Sequence, residues 1–175
     1  MDIRTLLQEI KKEFDAEKIQ FALIGGLAVG SLGYQRFTND IDMLIHEDDK
    51  EKAKNLLLKK GYTLFSENSE FVQFQGQCPI DIQLARRPIS KKMLADAQML
   101  PNTPVRCLRV EDLIGLKIQA FSTNSKREFK EKADIQALIE LHFSSLDWAK
   151  IKNYADLFSK WDEIEAIKAK VNAHD

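Results

Sequence analysis

The stretch Phe21–Ile45, FALIGGLAVGSLGYQRFTNDIDMLI, decides the fold of this chain. It opens with an apolar run that ends in a glycine pair, Gly25 and Gly26, which is typical of a short buried strand followed by a turn. A short helix follows, and a second predicted strand carries Asp40 and Asp42. Side chains alternate along a strand and each residue rises about 3.3 Å, so the two carboxylates point the same way with Cα atoms about 7 Å apart. One divalent cation fits between them.

A third acidic residue, Asp81, stands between two isoleucines in a later strand pattern, PIDIQLA at 79–85. If that strand neighbours the strand of Asp40 and Asp42, three carboxylates converge on one patch. Such a hard oxygen site suits Mg²⁺ or Mn²⁺ rather than zinc. Taken singly, each pattern has an ordinary reading, since a glycine pair is usually a turn and two acids in a strand are usually a solvated face or an edge feature. Their order and spacing therefore carry the prediction.

Periodicity in the rest of the chain predicts two lobes. Residues 1–88 are predicted to form an α/β (α+β) lobe with a small mixed sheet and flanking helices, and residues 89–175 a mainly helical lobe. Helices are predicted at 2–17, 27–34, 48–61, 90–100, 111–121 and 126–141 and from Asp147 and Trp161 onward, and strands at 21–26, 40–45, 62–67, 70–75 and 79–85, with a short extended piece at 104–110.

Composition excludes several classes of protein. The 175 residues are 44% hydrophobic and 30% charged, as in ordinary globular proteins. Lys and Arg number 26 against 27 Asp and Glu, which excludes a uniformly basic nucleic-acid binder. Cys78 and Cys107 lie far apart without a CxxC motif, which argues against a disulfide framework or a zinc ribbon. The longest uncharged stretch, 19–35, is too polar to span a membrane, and we expect a cytoplasmic protein without membrane contact.

The Phe21–Ile45 stretch resembles the signature of the polymerase-beta-like nucleotidyltransferase superfamily, in which a glycine pair or Gly-Ser precedes two strand acids and a third acid follows on a neighbouring strand. The run 36–42, RFTNDID, is similar to a prokaryotic branch that includes minimal nucleotidyltransferases, lincosamide and aminoglycoside nucleotidyltransferases and abortive-infection toxins. Residues 111–117 and 130–134 resemble the helical elements DLI-x-x-K and KD-x-x-D of that branch. Glu131 replaces the usual Asp, and Gly26 stands where many relatives have Ser. The resemblance covers residues 19 to 140 or so.

The resemblance implies an enzyme that moves a nucleoside monophosphate from an NTP, such as ATP, to an acceptor hydroxyl with release of pyrophosphate. Backbone amides of Gly25 and Gly26 would hold the triphosphate. Asp40 and Asp42 would bind Mg²⁺ or Mn²⁺ against the phosphates, and Asp81 would complete the metal set and act as general base.

Four further residues are predicted nucleotide contacts: Arg36, Thr38, Lys117 and Lys130. Three of them also have a structural interpretation. Arg36 could lie in a solvated loop, Lys117 could be a lysine at the edge of an apolar helix face, and Lys130 could pair with Asp134 four residues on.

The acceptor is the least determined part of the prediction: an RNA or tRNA end, a small molecule or a protein hydroxyl. Between Arg86 and Lys132 stand eleven basic and five acidic residues, a local charge of +6 that favours RNA over a neutral antibiotic, although these residues could also pair with nearby acids. Apolar stripes on the last two predicted helices are typical of core, and could also cover a second copy or a cognate partner.

Three enzyme classes fit the sequence less well. A dinucleotide-binding fold lacks its GxGxxG here. A haloacid-type phosphatase would need an apolar run directly before the acids, and a sugar-nucleotide glycosyltransferase would leave the glycine pair unexplained. The alternative function is a degenerate nucleotidyltransferase fold kept as a nucleotide- or partner-binding module, for example in a toxin–antitoxin pair, and the presence of all three acids argues against it.

Overall fold

The structure, a computed structural model, describes residues 2–35 and 37–173. Arg36, one of the predicted nucleotide contacts, lies outside the described residues. The chain divides into two compact units. The first comprises the described residues within 1–31 and 36–109, and the second those within 32–35 and 110–175.

A mixed sheet forms the centre of the first unit. Its strands are β1 (Phe21–Leu23), β2 (Ile41–His46), β3 (Thr63–Glu67), β4 (Phe71–Gln75), β5 (Ile80–Ala85), β6 (Gln98–Met99) and β7 (Arg106–Cys107). Their order across the sheet is β3-β4-β5-β2-β1-β7-β6. The central strand β2 runs antiparallel to β1 and parallel to β5. The predicted fold class, a mixed sheet with flanking helices followed by further helices, is confirmed.

The helices of the first unit bury one apolar face each. They are α1 (Ile3–Ala16), α2 (Gly25–Ser31), α3 (Lys50–Lys59) and α4 (Pro88–Asp96). In α1, Asp2 accepts a hydrogen bond from the backbone N–H of Arg4, which satisfies one of the free donors at the helix start. Four apolar residues at helical spacing, Leu6, Leu7, Ile10 and Phe14, are buried. The apolar face predicted from the sequence is therefore the face that packs into the core.

The end of α4 differs from the predicted helix at 90–100. The helix ends at Asp96, and Gln98–Met99 form β6, which pairs with β7. The Arg106 guanidinium donates to the carbonyl oxygens of Leu94, Ala95 and Ala97, so a side chain distant in sequence satisfies the carbonyls at the helix end. Because β7 pairs in parallel with β1, the segment 89–109 belongs to the first unit, whereas the predicted boundary lies after residue 88.

The second unit is helical. Its helices are α5 (Val110–Thr123), α6 (Glu128–His142), α7 (Trp148–Asp156) and α8 (Trp161–Asn172). In the apolar stripes of α7 and α8, four residues are buried and four are partly exposed. The buried ones are Ile151, Ala155, Ile164 and Val171, and the partly exposed ones are Trp148, Phe158, Trp161 and Ile167. Pairing with a second copy or a cognate partner through these helices stays a prediction. Across the described ranges, no helix combines the length and apolar character needed to cross a membrane.

Candidate active site

The glycine pair packs directly against the first of the candidate metal strands. After β1, the backbone N–H of Ile24 donates to the carbonyl oxygen of Asp42 at 3.0 Å, which holds the turn against β2. Gly25 has φ +63°, and a Cβ atom there would lie 2.7 Å from the Cβ of Asp42 and overlap its carboxylate. Only glycine accommodates both the backbone angle and this close approach. Gly26 is buried in the first turn of α2.

Three carboxylates meet beside this turn. Asp42 on β2 lies directly opposite Asp81 on β5 in the parallel pairing, so the neighbouring strands that the sequence argument required are present. Asp40 precedes β2 by one residue and shares the side of Asp42. Each of the three acids offers a carboxylate oxygen, and these oxygens lie within 4.8 Å of one another. All three side chains are half-buried.

This donor set fits a hard divalent cation. Three carboxylates held this close repel one another, and the repulsion is relieved when a cation binds among them. The ligands are oxygen atoms, which Mg²⁺ and Mn²⁺ prefer, and the set contains neither a thiolate nor an imidazole of the kind that favours zinc. Asp40, Asp42 and Asp81 are therefore the residues that would hold such an ion.

Two uncharged side chains donate hydrogen bonds to this cluster. The Thr38 hydroxyl donates to Oδ1 of Asp40, and the Gln73 amide donates from Nε2 to Oδ2 of Asp81 at 3.1 Å. Thr38 was expected to contact the nucleotide, and here its partner is a candidate metal ligand. Gln73 was not predicted. The alternating pattern of β4 marks it as a half-buried polar position, but only the pairing of β4 with β5 places it opposite Asp81.

Cys78 is a half-buried thiol near Asp40. Its thiol donates to the carbonyl oxygen of Asn39 at 3.2 Å. Burial, and after it the nearby carboxylate of Asp40, raise the pKa of the Cys78 thiol above its ordinary value. The thiol therefore stays protonated at neutral pH and is a poor nucleophile.

The predicted nucleotide contacts of the C-terminal half lie in the second unit. Lys117 on α5 is only 5% exposed, and its Nζ lies 2.8 Å from Glu131 and 2.5 Å from Asp134. Arg127 donates to the other oxygen of Glu131 at 2.6 Å. Burial opposes ionisation of Glu131, but the charges and hydrogen bonds of Lys117 and Arg127 outweigh it and hold the pKa of Glu131 below its ordinary value. Lys130 is exposed on α6.

Solved structures of low sequence identity share this fold. The solution structure of the antibiotic-resistance factor ANT(2'')-Ia has a TM-score of 0.70 at 18% identity, covering 95% of this chain and 97% of that chain. An antigenic nucleotidyltransferase-like protein from Paracoccidioides brasiliensis gives 0.59 at 19% identity, covering 95% and 91%. The lincosamide antibiotic adenylyltransferase LnuA, solved with lincomycin bound, gives 0.58 at 16% identity, covering 81% and 98%.

The sequence itself matches one family. No curated protein sequence matches the chain significantly. A family model described as "Uncharacterised nucleotidyltransferase" matches residues 2–158, a span that contains the glycine pair, the three clustered acids and the buried Lys117. The resemblance drawn from the Phe21–Ile45 stretch is confirmed, and this chain belongs to that nucleotidyltransferase family.

Proposed function

We propose that this protein is a metal-dependent enzyme that transfers a nucleoside monophosphate from an NTP to an acceptor hydroxyl and releases pyrophosphate. Membership of the family supports an enzyme of nucleotidyl transfer in general. The observation that carries the finer proposal is the cluster of Asp40, Asp42 and Asp81, whose carboxylate oxygens lie within 4.8 Å of one another beside the Gly25 turn.

The glycine turn is the proposed triphosphate site. At Gly25 no side chain separates the backbone from the carboxylate cluster, so phosphate oxygens that accept from the N–H groups of Gly25 and Gly26 would lie close to Asp42. A cation such as Mg²⁺ held by the three acids would neutralise the charge of those phosphates. The cation is needed at this place, since phosphate next to uncompensated carboxylates would be repelled.

Asp81 is the proposed general base. The order β5-β2-β1 places Asp42 between the strand of Asp81 and the strand that leads into the glycine turn, so Asp81 lies on the side opposite the proposed triphosphate. There its carboxylate would accept the proton of the acceptor hydroxyl. The hydroxyl oxygen forms a bond to the α-phosphorus, the bond from that phosphorus to the bridging oxygen breaks, and pyrophosphate leaves with that oxygen.

The remaining predicted contacts take different proposed roles. Thr38 acts through Asp40, whose carboxylate it orients by hydrogen bonding. Lys117 already contacts two carboxylates, which supports a structural role within the second unit over a phosphate contact. Lys130, exposed on α6, and Arg36 stay proposed nucleotide contacts.

Most of the basic side chains that favoured an RNA acceptor already have a hydrogen-bond or ion-pair partner in the fold. Among the described residues, nine of the eleven basic side chains between Arg86 and Lys132 have an acidic or carbonyl partner. They are Arg86 and Lys91 with Glu47, Arg87 with Glu70, Lys92 with Asp96, Lys117 and Arg127 with Glu131, Lys132 with Glu128, and Arg106 and Arg109 with backbone carbonyls. We therefore propose a small hydroxyl-bearing molecule as the acceptor, in preference to an RNA end or a protein. The LnuA structure, which contains bound lincomycin, gives an example of such a ligand on this fold.

The test is incubation with each α-labelled NTP, Mg²⁺ or Mn²⁺ and a panel of acceptors: aminoglycosides, lincosamides, tRNA and protein. We expect labelled product from one acceptor class together with pyrophosphate. Asp42→Asn should abolish transfer, whereas Asp81→Ala should abolish transfer and keep much of the affinity for the metal–nucleotide complex. Equal NTP affinity with and without the cation, and no labelled product, would contradict an enzyme and favour the nucleotide- or partner-binding module.

A further inference from the structure

A row of three polar side chains crosses the sheet at the candidate active site. Gln73 on β4 lies opposite Asp81 in the antiparallel pairing, and Asp81 on β5 lies opposite Asp42 in the parallel pairing. Residues paired in this way stand on one face of the sheet at a strand spacing of about 4.8 Å. Gln73 is thus the next side chain beyond Asp81, on the side away from Asp42 and the glycine turn.

We propose that Gln73 is the positioning residue of Asp81, an inference that rests on the proposed nucleotidyl transfer. Its amide Nε2 donates to Oδ2 of Asp81 at 3.1 Å. The terminal torsion of an aspartate is soft, so an unrestrained carboxylate samples a wide range of orientations. A hydrogen bond from a neighbouring strand selects one of them and holds the carboxylate where its oxygen meets those of Asp40 and Asp42.

An amide is the appropriate donor at this place. A lysine or arginine would bring a positive charge that competes with a metal cation for Asp81, and a carboxylate would add to the repulsion in the cluster. The Gln73 amide carries no net charge and supplies a donor, so it orients the carboxylate without weakening its attraction for a cation. Loss of a hydrogen bond to a metal-ligating side chain typically lowers metal affinity or activity by about 10- to 100-fold.

The core of the sheet does not require a glutamine at this position. The neighbours of Gln73 along β4, Val72 and Phe74, are buried on the opposite face, where they supply the packing of the strand. Gln73 itself is half-buried on the face of Asp81. Two residues further along the same face, Gln75 is exposed and lies opposite Thr63. Gln75 is therefore a matched control. It is a second glutamine in the same strand and on the same face, but Asp81 is paired with Gln73 and not with Gln75.

The experiment compares Gln73→Met with Gln75→Met, since methionine keeps the length of glutamine and removes the donor. Free Mn²⁺ is titrated by electron paramagnetic resonance without nucleotide or acceptor. We expect Gln73→Met to weaken Mn²⁺ affinity by about 10-fold or more and to lower kcat by a similar factor, with the KM for NTP changed less than about twofold. Gln75→Met should match the parent in all three quantities. Gln73→Asn, which keeps the amide but withdraws it by one methylene, should behave like Gln73→Met and serves if the methionine variant does not fold.

Parent-like Mn²⁺ affinity and kcat in both Gln73 variants, or equal losses at positions 73 and 75, would overturn the positioning role. The two proposals fail separately. A parent protein that transfers nucleotide and is unaffected by the Gln73 changes retains the proposed function and loses this inference. If the parent transfers nothing but binds Mn²⁺, and this affinity falls only in the Gln73 variants, the proposed function is lost and Gln73 is retained only as the residue that positions Asp81 in the metal cluster.

Discussion

At the scale of single residues, the site depends on a missing side chain. Gly25 brings the backbone against the Asp42 carboxylate, where a Cβ atom would overlap it, and its φ of +63° is unfavourable for other residues. At Gly30, five residues later in the same helix, a Cβ atom would meet no other part of the described chain within 4 Å, apart from its own helix. The two positions therefore differ in their need for glycine. At position 25 a side chain would collide with Asp42, whereas at position 30 there is room for one.

This contrast predicts opposite effects of alanine. Gly25→Ala should destabilise the protein by more than about 1 kcal/mol, because the backbone angle is strained, and displacement of Asp42 should slow transfer by about 100-fold. Gly30→Ala should leave transfer unchanged and stabilise the fold by about 0.4–1 kcal/mol, because alanine restricts the unfolded chain. Urea unfolding and the initial rate of transfer measure both. Full activity in Gly25→Ala would contradict the packing of the turn against Asp42.

The acids of the site could be predicted from the sequence, whereas the hydrogen bonds to them could not. Asp40, Asp42 and Asp81 were identifiable from local patterns, because strand alternation places Asp40 and Asp42 on one face and Asp81 stands between two isoleucines. The contact of Gln73 with Asp81 was not, because it depends on the register of β4 against β5, which no local pattern specifies. The hydrogen bond from the Thr38 hydroxyl to Asp40 was not predicted either, and the contact of Thr38 with the nucleotide stays a prediction.

At the scale of elements, α5 and α6 are joined by a buried ion cluster. Lys117 contributes the ammonium, and Glu131 and Asp134 the carboxylates, all with 5% exposure or less. Lys117→Met should destabilise the protein by about 3–5 kcal/mol in urea unfolding, because it leaves two buried carboxylates without this cation. Adding Glu131→Gln and Asp134→Asn to Lys117→Met should recover part of that loss. A stable Lys117→Met variant with a raised KM for NTP would instead support the phosphate contact.

The cluster also predicts a pH dependence. Because the pKa of Glu131 is lower in the folded protein than its ordinary value, its contribution to stability is fully present above the ordinary glutamate pKa of about 4.3. It is lost as the pH falls through the lower folded-state pKa. Glu131→Gln should therefore unfold at lower temperature than the parent at pH 7, and the difference should shrink toward pH 3.5. Glu140→Gln, an exposed position on the same helix, should show little difference at either pH.

Elements whose ends depend on distant residues were the part of the fold that the sequence predicted poorly. The amphipathic helix α1 and the strands β2 and β5 were located within one or two residues, because their patterns are local. The segment after Asp96 was predicted as helix, since residues up to 100 continue the apolar spacing. Its pairing with β7 and the donation from Arg106 to the carbonyls of α4 decide the outcome, and both come from a later part of the chain.

At the scale of the whole molecule, positive and negative charges are unevenly distributed along the sequence, and the fold pairs some of them. The window from Arg86 to Lys132 carries +6 and the rest of the chain −7. Acids from outside the window, such as Glu47, Glu70 and Glu163, pair with basic residues inside it. A sequence count therefore overstates the positive charge offered to a partner.

This compensation predicts a weak salt dependence of acceptor binding. Between about 50 and 200 mM salt, the plot of log affinity against log salt should be shallower than about −0.7, the value for a single phosphate contact on a single strand. Isothermal titration with the acceptor identified by labelling measures the slope. A slope several times steeper, with tRNA as the labelled acceptor, would restore RNA as the substrate class.

The direct pairing of Asp42 with Asp81 has a consequence for folding. The two acids are 39 positions apart in the sequence, and only the parallel pairing of β2 with β5 brings them together. The unfolded chain therefore has no comparable site, and whatever cation binds the cluster is also a ligand of the native state. A cation at 100 times its dissociation constant would add about 2.7 kcal/mol to the free energy of unfolding. We expect the resistance of this protein to proteolysis to rise with free magnesium, even when no nucleotide or acceptor is present.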